Sequence, residues 1–236
     1  MIRQYLKKLI YPNKCIVCRT LLETESEGYL CDKCYSFVLR NHLCPKCGRP
    51  YNIGDKDCPY CKTEDVNDIT QIIALFPYKD HFRKSMLRWK YNGLRKYAKG
   101  YADIFVSDLC AVDKLQIEGL VPVPISVSRK RKRGFNQALD LAEEISKLTG
   151  VKVYDILRRT KETKPQSKCT KKERLSNLKD SIGIKKDSDS ITLNNIAIID
   201  DIYTTGATIK ECIKAIKRQE VLKNAKIYVL IVCVGI

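Results

Sequence analysis

The pattern of hydrophobic and polar positions divides the chain near residue 66. Before it, nearly every hydrophobic residue stands beside a cysteine, no period is sustained, and turn formers cluster at 44–50 (CPKCGRP) and 52–59 (NIGDKDCP). After it, apolar runs alternate with amphipathic segments. Residues 69–76 predict a strand; 82–91 and 97–109 have helical spacing, the second placing Tyr97, Tyr101, Ile104, Phe105 and Leu109 on one face. A short strand at 119–123 is stopped by Pro124, and 136–148 predicts a helix with Ala138, Leu141, Ala142, Ile145 and Leu148 inward, ending at Gly150. Further strands are predicted at 151–157, 196–199 and 227–234. Thr170 with Glu173 forms a capping box for a short helix through Leu178, and 207–219 a helix with Ile209, Cys212, Ile213 and Ile216 inward. Strands alternating with helices, without hairpin signals, imply an α/β fold with a parallel sheet covered on both faces. The expected organisation is a small Cys-rich module at 1–66 followed by an α/β domain at 67–236.

Composition changes this picture in two respects. With 236 residues, 44% hydrophobic and 30% charged, the chain can bury a core, which excludes wholesale disorder. Its 44 Lys and Arg against 27 Asp and Glu give a formal charge of +17, which suits a polyanionic partner: nucleic acid, a phosphorylated metabolite or a membrane surface. Residues 1–66 hold 11 basic and 8 acidic side chains, so most of the excess lies further on. Between residues 129 and 179 there are 16 basic and 6 acidic side chains, a local +10.

Eight of the 12 cysteines form four Cys-x-x-Cys pairs, Cys15/Cys18, Cys31/Cys34, Cys44/Cys47 and Cys58/Cys61, separated by 12, 9 and 10 residues. Each turn brings two thiolates to one tetrahedral ion and two turns complete a closed structural site, so the set suits two structural zinc ions. Sequential pairing and crossed pairing (15/18 with 44/47, 31/34 with 58/61) are both sterically open. With eight thiols present, His42 reads as a loop histidine, and Cys110, Cys169, Cys212 and Cys233 as small hydrophobes. About 60 residues with few core formers need metal to fold. Residues 1–12 lack the apolar core of a secretory signal, and the longest apolar run, 227–236, is half the length that spans a bilayer. The expected setting is a reducing cytoplasm, with no membrane span.

The most informative segment is IAIIDDIYTTGAT at 196–208. A buried strand leads through Asp200 and Asp201 into a turn rich in Thr and Gly that opens a helix, the edge at which open α/β sheets bind ligands. Backbone N–H groups of Thr204, Thr205, Gly206, Ala207 and Thr208, with the three threonine hydroxyls, can wrap a phosphate at the helix N-terminus. Asp200 and Asp201 stand one step away, placed for sugar hydroxyls and for a divalent ion. An ordinary strand-loop-helix junction with an acidic cap would need neither both acids nor three threonines.

This segment resembles the phosphoribosyl pyrophosphate (PRPP) loop of type I phosphoribosyltransferases. Three further features extend the resemblance to the ComF (competence protein F, ComFC-like) family: the four Cys-x-x-Cys pairs; Val121-Pro122-Val123-Pro124 followed by RKRGFNQ at 131–137; and TKPQ at 163–166 followed by Arg174 and Asn177. The resemblance implies a type I phosphoribosyltransferase-like parallel sheet flanked by helices behind a zinc module. It implies that Asp200 and Asp201 hold the ribose hydroxyls and act catalytically, that residues 204–208 hold the 5′-phosphate, and that Mg²⁺ accompanies PRPP. A basic stretch, 126–133, with Ser126, Arg131 and Arg133, stands where the pyrophosphate loop would be; residues 158–174, with Gln166 and Arg174, would be the lid.

The basic excess divides between a pyrophosphate clamp, which needs two or three cations, and a track for single-stranded DNA, which would use six or more, with Phe135, Tyr154 or Tyr203 as stacking candidates. Three functions follow. One is a DNA-uptake protein of natural transformation that binds PRPP and single-stranded DNA, with a competence helicase or other uptake proteins as partners. Another is an active phosphoribosyltransferase that moves ribose 5-phosphate to a nucleobase or amine. The third, a zinc adaptor with a degenerate site, is disfavoured by the intact acids and threonine turn.

Overall fold

A computed structural model of the chain describes residues 13–23, 28–40, 43–51, 58–63, 66–161, 178–185 and 191–236. Two short helices, α1 (Asp32–Tyr35) and α2 (Pro59–Thr63), lie in the Cys-rich segment. There follow β1 (Gln71–Pro77), α3 (Asp80–Tyr91), α4 (Lys96–Asp103), α5 (Ala111–Lys114), β2 (Gly119–Pro122), α6 (Val127–Arg133) and α7 (Gln137–Thr149). Then come β3 (Lys152–Val153), β4 (Leu157–Arg159), β5 (Ile182–Ile184), β6 (Asn195–Tyr203), α8 (Ala207–Lys217) and β7 (Lys226–Val234).

Five strands form a parallel sheet in the order β1-β7-β6-β2-β3. One face is covered by Phe82, Met86 and Trp89 of α3, Tyr97 and Tyr101 of α4 and Leu141, Ala142 and Ile145 of α7. The other is covered by Ile209, Cys212, Ile213 and Ile216 of α8. This two-sided burial explains the unbroken apolar runs of β6 and β7. Asn136 caps α7 by accepting from Ala138 N–H at 3.2 Å, while its own amide donates to Val123 O at 3.0 Å; Gly150 ends the helix in the left-handed region.

Some elements differ from their expected form. The helix expected at 97–109 widens after Asp103 into a π turn, Ile104–Asp108. The strand expected at 151–157 is two elements. β3 closes the parallel sheet, whereas β4 pairs antiparallel with β5 in a separate ribbon, Leu157 opposite Ile184 and Arg159 opposite Ile182. Leu157 and Ile182 are buried in the same cluster as the inward face of α8, which anchors this ribbon without a tight hairpin turn to announce it. The short helix expected from Thr170 lies outside the described residues, except for Leu178, which is buried.

The Cys-rich segment packs directly on this sheet. Ile16, Val17 and Val38 share one apolar cluster with α3 and α4. Ser85 Oγ donates to Ile16 O at 2.6 Å and is 2.7 Å from Tyr101 Oη, and Arg88 donates to Val17 O. Along the outer edge of β1, Leu39 N–H donates to Leu75 O at 2.8 Å and Ile72 N–H to Lys46 O at 3.1 Å. Contact is close enough there that a Cβ on Gly48 would stand 2.6 Å from Ile72 O. Among the described residues no helix is long and apolar enough to cross a membrane.

Candidate functional site

The eight paired cysteines gather into two clusters, Cys15, Cys18, Cys31 and Cys34 in one and Cys44, Cys47, Cys58 and Cys61 in the other, with the Sγ atoms of each within 4.8 Å of one another. Pairing is therefore sequential. Neighbouring sulfurs lie 3.5 Å apart (Cys18 and Cys31) and 3.6 Å apart (Cys44 and Cys61, Cys47 and Cys58). A tetrahedral ion with bonds of about 2.3 Å separates its sulfurs by about 3.8 Å, so both clusters fit zinc, and among the described residues neither gathers an acidic or histidine ligand. In each cluster the first pair lies on a tight turn closed by the residue that follows its second cysteine, four positions beyond the first: Arg19 N–H donates to Cys15 O, and Gly48 N–H to Cys44 O. Both closing residues have positive φ, 74° and 67°. The second pair lies on α1 or at α2. Burial pushes up the thiols of Cys34, Cys61 and Cys47, the last to about 12, a cost that a bound divalent ion reverses by stabilising the thiolates.

On the sheet, β6 runs further than its apolar core suggests, because Ile202 and Tyr203 still pair with Cys233 and Val234 of β7. The two acids thus lie inside a strand, where successive side chains point to opposite faces. Asp201 meets α3: its Oδ2 is 2.6 Å from Lys90 Nζ, and both side chains are largely buried. Asp200 lines a shallow, open cleft whose other walls include Thr204, Thr205, Gly206 and Thr208. Asp200 Oδ1 accepts the Asp201 N–H at 2.8 Å. Burial, with the adjacent Asp201 charge, raises the Asp200 carboxyl to about 7, against the pull of that amide, Lys90 and Arg159. Arg159 is fixed nearby by donating to Pro124 O and Ser181 Oγ, each at 3.1 Å.

The turn itself is set by Gly206, at φ 70°, which starts α8. A Cβ there would be 2.5 Å from Tyr203 Oη. Only glycine satisfies both the left-handed backbone and this approach. The eleven-residue α8 then aims its first N–H groups at the cleft lined by Asp200 and the threonines, an arrangement suited to a phosphate with a hydroxyl-bearing sugar attached.

The remaining expected residues are dispersed. Ser126 is buried at the start of α6, its Oγ 3.2 Å from Ser128 Oγ, so the stretch expected as a pyrophosphate loop is a helix. Arg131 is exposed on that helix. Arg133 donates to Gln137 Oε1 at 3.0 Å and to Tyr91 Oη at 3.4 Å. Gln166 and Arg174 lie outside the described residues. Of the stacking candidates, Phe135 and Tyr203 are buried and Tyr154 is half-buried against Lys152. An exposed ring beside the basic helix is Tyr91, with Arg133 5.2 Å and Lys132 5.9 Å from its centroid.

Two residues at the site were not anticipated. Lys90 belongs to the stripe of Phe82 and Met86, where a lysine among apolar positions is the signal that was available. Arg49, at 2% exposure, donates to Thr204 O and Gly235 O, each at 2.6 Å; nothing local in the sequence ties it to a turn 155 residues away.

Known proteins are similar to this chain along most of its length. The double zinc ribbon domain family matches residues 6–65. Competence protein ComFC of Bacillus subtilis is 32% identical over 81% of this chain and 79% of its own length. Competence protein F of Haemophilus influenzae is 25% identical over 87% and 91%, and the DNA utilization protein YhgH of Salmonella typhimurium 24% over 89% and 93%. Among solved structures, an adenine phosphoribosyltransferase overlays 62% of this chain and 75% of its own at 14% identity and a TM-score of 0.36, too loose for anything to be transferred from it. With two four-cysteine clusters packed on a parallel sheet and a relative of this similarity along most of its length, the chain belongs to the ComF family.

Proposed function

We propose that this protein acts in the uptake and use of DNA in the cytoplasm, binding PRPP with Mg²⁺ at the β6-α8 turn and single-stranded DNA on the adjacent basic surface. The observation that carries the first part is the turn: Gly206 in the left-handed region, three threonines, and Asp200 on the wall of one cleft at a helix N-terminus. In this reading residues 204–208 hold the 5′-phosphate and Asp200 a ribose hydroxyl, while Asp201 with Lys90 fixes the floor. The names of the relatives, competence proteins and DNA utilization proteins, support the setting. A competence helicase or other uptake protein is the partner class this implies. Mg²⁺ would neutralise the pyrophosphate beside the acids.

Support for DNA comes from α6. Its sequence VSRKRKR holds five cations and no acid in seven residues, and no residue of it is buried. Cations three and four apart on one helix repel, and without a packed face little offsets that repulsion. A polyanion would relieve it, and Tyr91 supplies a face on which a base can stack, one residue from the Lys90 that contacts Asp201.

The intact acid and threonine turn also fits an active phosphoribosyltransferase, in which water exclusion and cations on the departing pyrophosphate would drive transfer. Pyrophosphate release from Mg·PRPP, assayed with a panel of nucleobases and amines, separates transfer from binding alone. Single-strand binding over a salt series tests the surface. Replacing Lys130, Arg131 and Lys132 with alanine should flatten the log–log salt slope by about 2, at roughly 0.7 per phosphate contact. An unchanged slope would remove α6 from the DNA surface.

A further inference from the structure

We infer that Arg49 is the positioning residue through which the second cysteine cluster sets the shape of the phosphate turn. The inference rests on the reading of that turn as a PRPP site, but its structural half stands on the contacts alone.

Arg49 belongs to the cluster by its backbone. Its carbonyl accepts the Cys44 N–H at 2.9 Å, and the adjoining Gly48 N–H closes on Cys44 O at the same distance. Its side chain leaves the cluster and ends at the turn. Nε donates to Gly235 O and Nη2 to Thr204 O, each at 2.6 Å. Gly235 N–H in turn donates to Tyr203 O at 2.8 Å, so one guanidinium staples the end of β7 to the first residue of the turn.

Two aromatic rings pack near its guanidinium. The Tyr60 ring, between Cys58 and Cys61, lies 4.8 Å from the guanidinium carbon, and the Tyr203 ring 5.2 Å. Tyr203 is also the residue whose hydroxyl excludes a Cβ at Gly206. Arg49 and Tyr60 come from the two halves of the cluster, and the four thiols are what bring those halves together. Arg49 thus joins a site with no open coordination position to a turn that needs its carbonyls turned away and its amides free.

A charge buried to 2% exposure is tolerated only while its donors are satisfied. The carbonyls of Thr204 and Gly235 each take one of its five N–H donors, and a donated bond fixes a carbonyl's direction as firmly as it satisfies the donor. With the Thr204 peptide so held, the following amides are oriented before any phosphate arrives, a preorganisation that raises affinity by removing an ordering cost. Loss of metal from this cluster, or oxidation of its thiols, should slacken the turn at a distance, while the first cluster, docked on α3 and α4, has no such link among the described residues.

The experiment uses the full chain as wild type, Arg49→Ala and Arg49→Lys, with zinc content, amide hydrogen exchange and calorimetric titration with Mg·PRPP measured on each. In Arg49→Ala, zinc should stay near that of wild type, exchange at 203–208 should quicken at least tenfold while α7 is unchanged, and PRPP should bind roughly ten- to a hundredfold more weakly, as expected for charge-assisted bonds. Lysine, able to reach one carbonyl, should restore part of both effects. If the alanine variant does not fold, the lysine variant and zinc-chelated wild type provide the same comparison. Exchange at 203–208 that matches wild type, or that quickens equally in α7, overturns the inference. Failure of wild type to bind PRPP would instead refute the proposed function, and the exchange comparison would still decide the role of Arg49.

Discussion

Asp200 keeps its proton up to about pH 7, well above the ordinary 3.8, because burial and the neighbouring Asp201 charge both oppose ionisation. The unfolded chain loses that proton near pH 4. Between about pH 4 and pH 7 the folded state therefore holds more protons than the unfolded state, and stability falls as pH rises through that window. From 3.8 to about 7 is roughly three decades of proton affinity; at about 1.4 kcal/mol per decade the penalty above pH 7 has an upper bound of about 4 kcal/mol, which solvent in the cleft beside the half-buried Asp200 reduces. Asp200→Asn removes the titration yet keeps an oxygen able to accept the Asp201 N–H, now bonded at 2.8 Å. The variant should gain on wild type as pH rises from 5 to 7, by at most about 1.4 kcal/mol per pH unit, and level off above. For a chain of this length, roughly 2–4 °C per kcal/mol makes the plateau a Tm advantage of several degrees. Thermal unfolding of both proteins at pH 5, 6, 7 and 8, followed by circular dichroism, measures it, and taking the difference cancels the shared pH sensitivity of the zinc sites. A difference that is flat with pH, or an asparagine variant less stable at pH 8, would refute the assignment of Asp200 as a desolvated carboxyl. The same variant should bind Mg·PRPP poorly, so stability and binding should move in opposite directions, as at sites shaped for a ligand.

Metal analysis should return close to two zinc per chain, one for each four-cysteine cluster, and loss of the signal with formation of disulfides would contradict the structural-site reading. Ser85→Ala should destabilise the protein by about 2–4 kcal/mol in urea unfolding, because it leaves Ile16 O and Tyr101 Oη without a shared buried partner; a cost under about 0.5 kcal/mol would mean that the first cluster does not depend on this anchor.

How far the sequence foretold these features depends on how local each one is. Gly150 marks the C-terminal end of α7 by its own backbone chemistry, and does so in the structure. The strand, acids and threonine turn were readable because they are contiguous. The direction of Asp201 was not, since its apolar neighbours Ile202 and Tyr203 belong to a strand whose length is set by pairing with β7. Cluster pairing needed three dimensions to decide, as both alternatives satisfy the same spacing. Aromatic residues near the basic run could be enumerated but not sorted by burial: Phe135 and Tyr203 serve the core, while Tyr91, from an earlier helix, is exposed beside it. Arg49 is the extreme case, for its meaning lies in carbonyls at the far end of the chain.

The outer edge of β1 has a consequence for the cell that makes this protein. Its sequence, QIIALFP, is the kind of apolar edge that recruits strands from other molecules, and its described edge partners, Leu39 and Lys46, belong to the cysteine segment. A chain emerging under zinc starvation would present that edge uncovered, and the expected fate is self-association before any question of ligand arises. Metal supply would then govern how much of this protein stays dispersed, and co-expression with added zinc should raise the recoverable fraction.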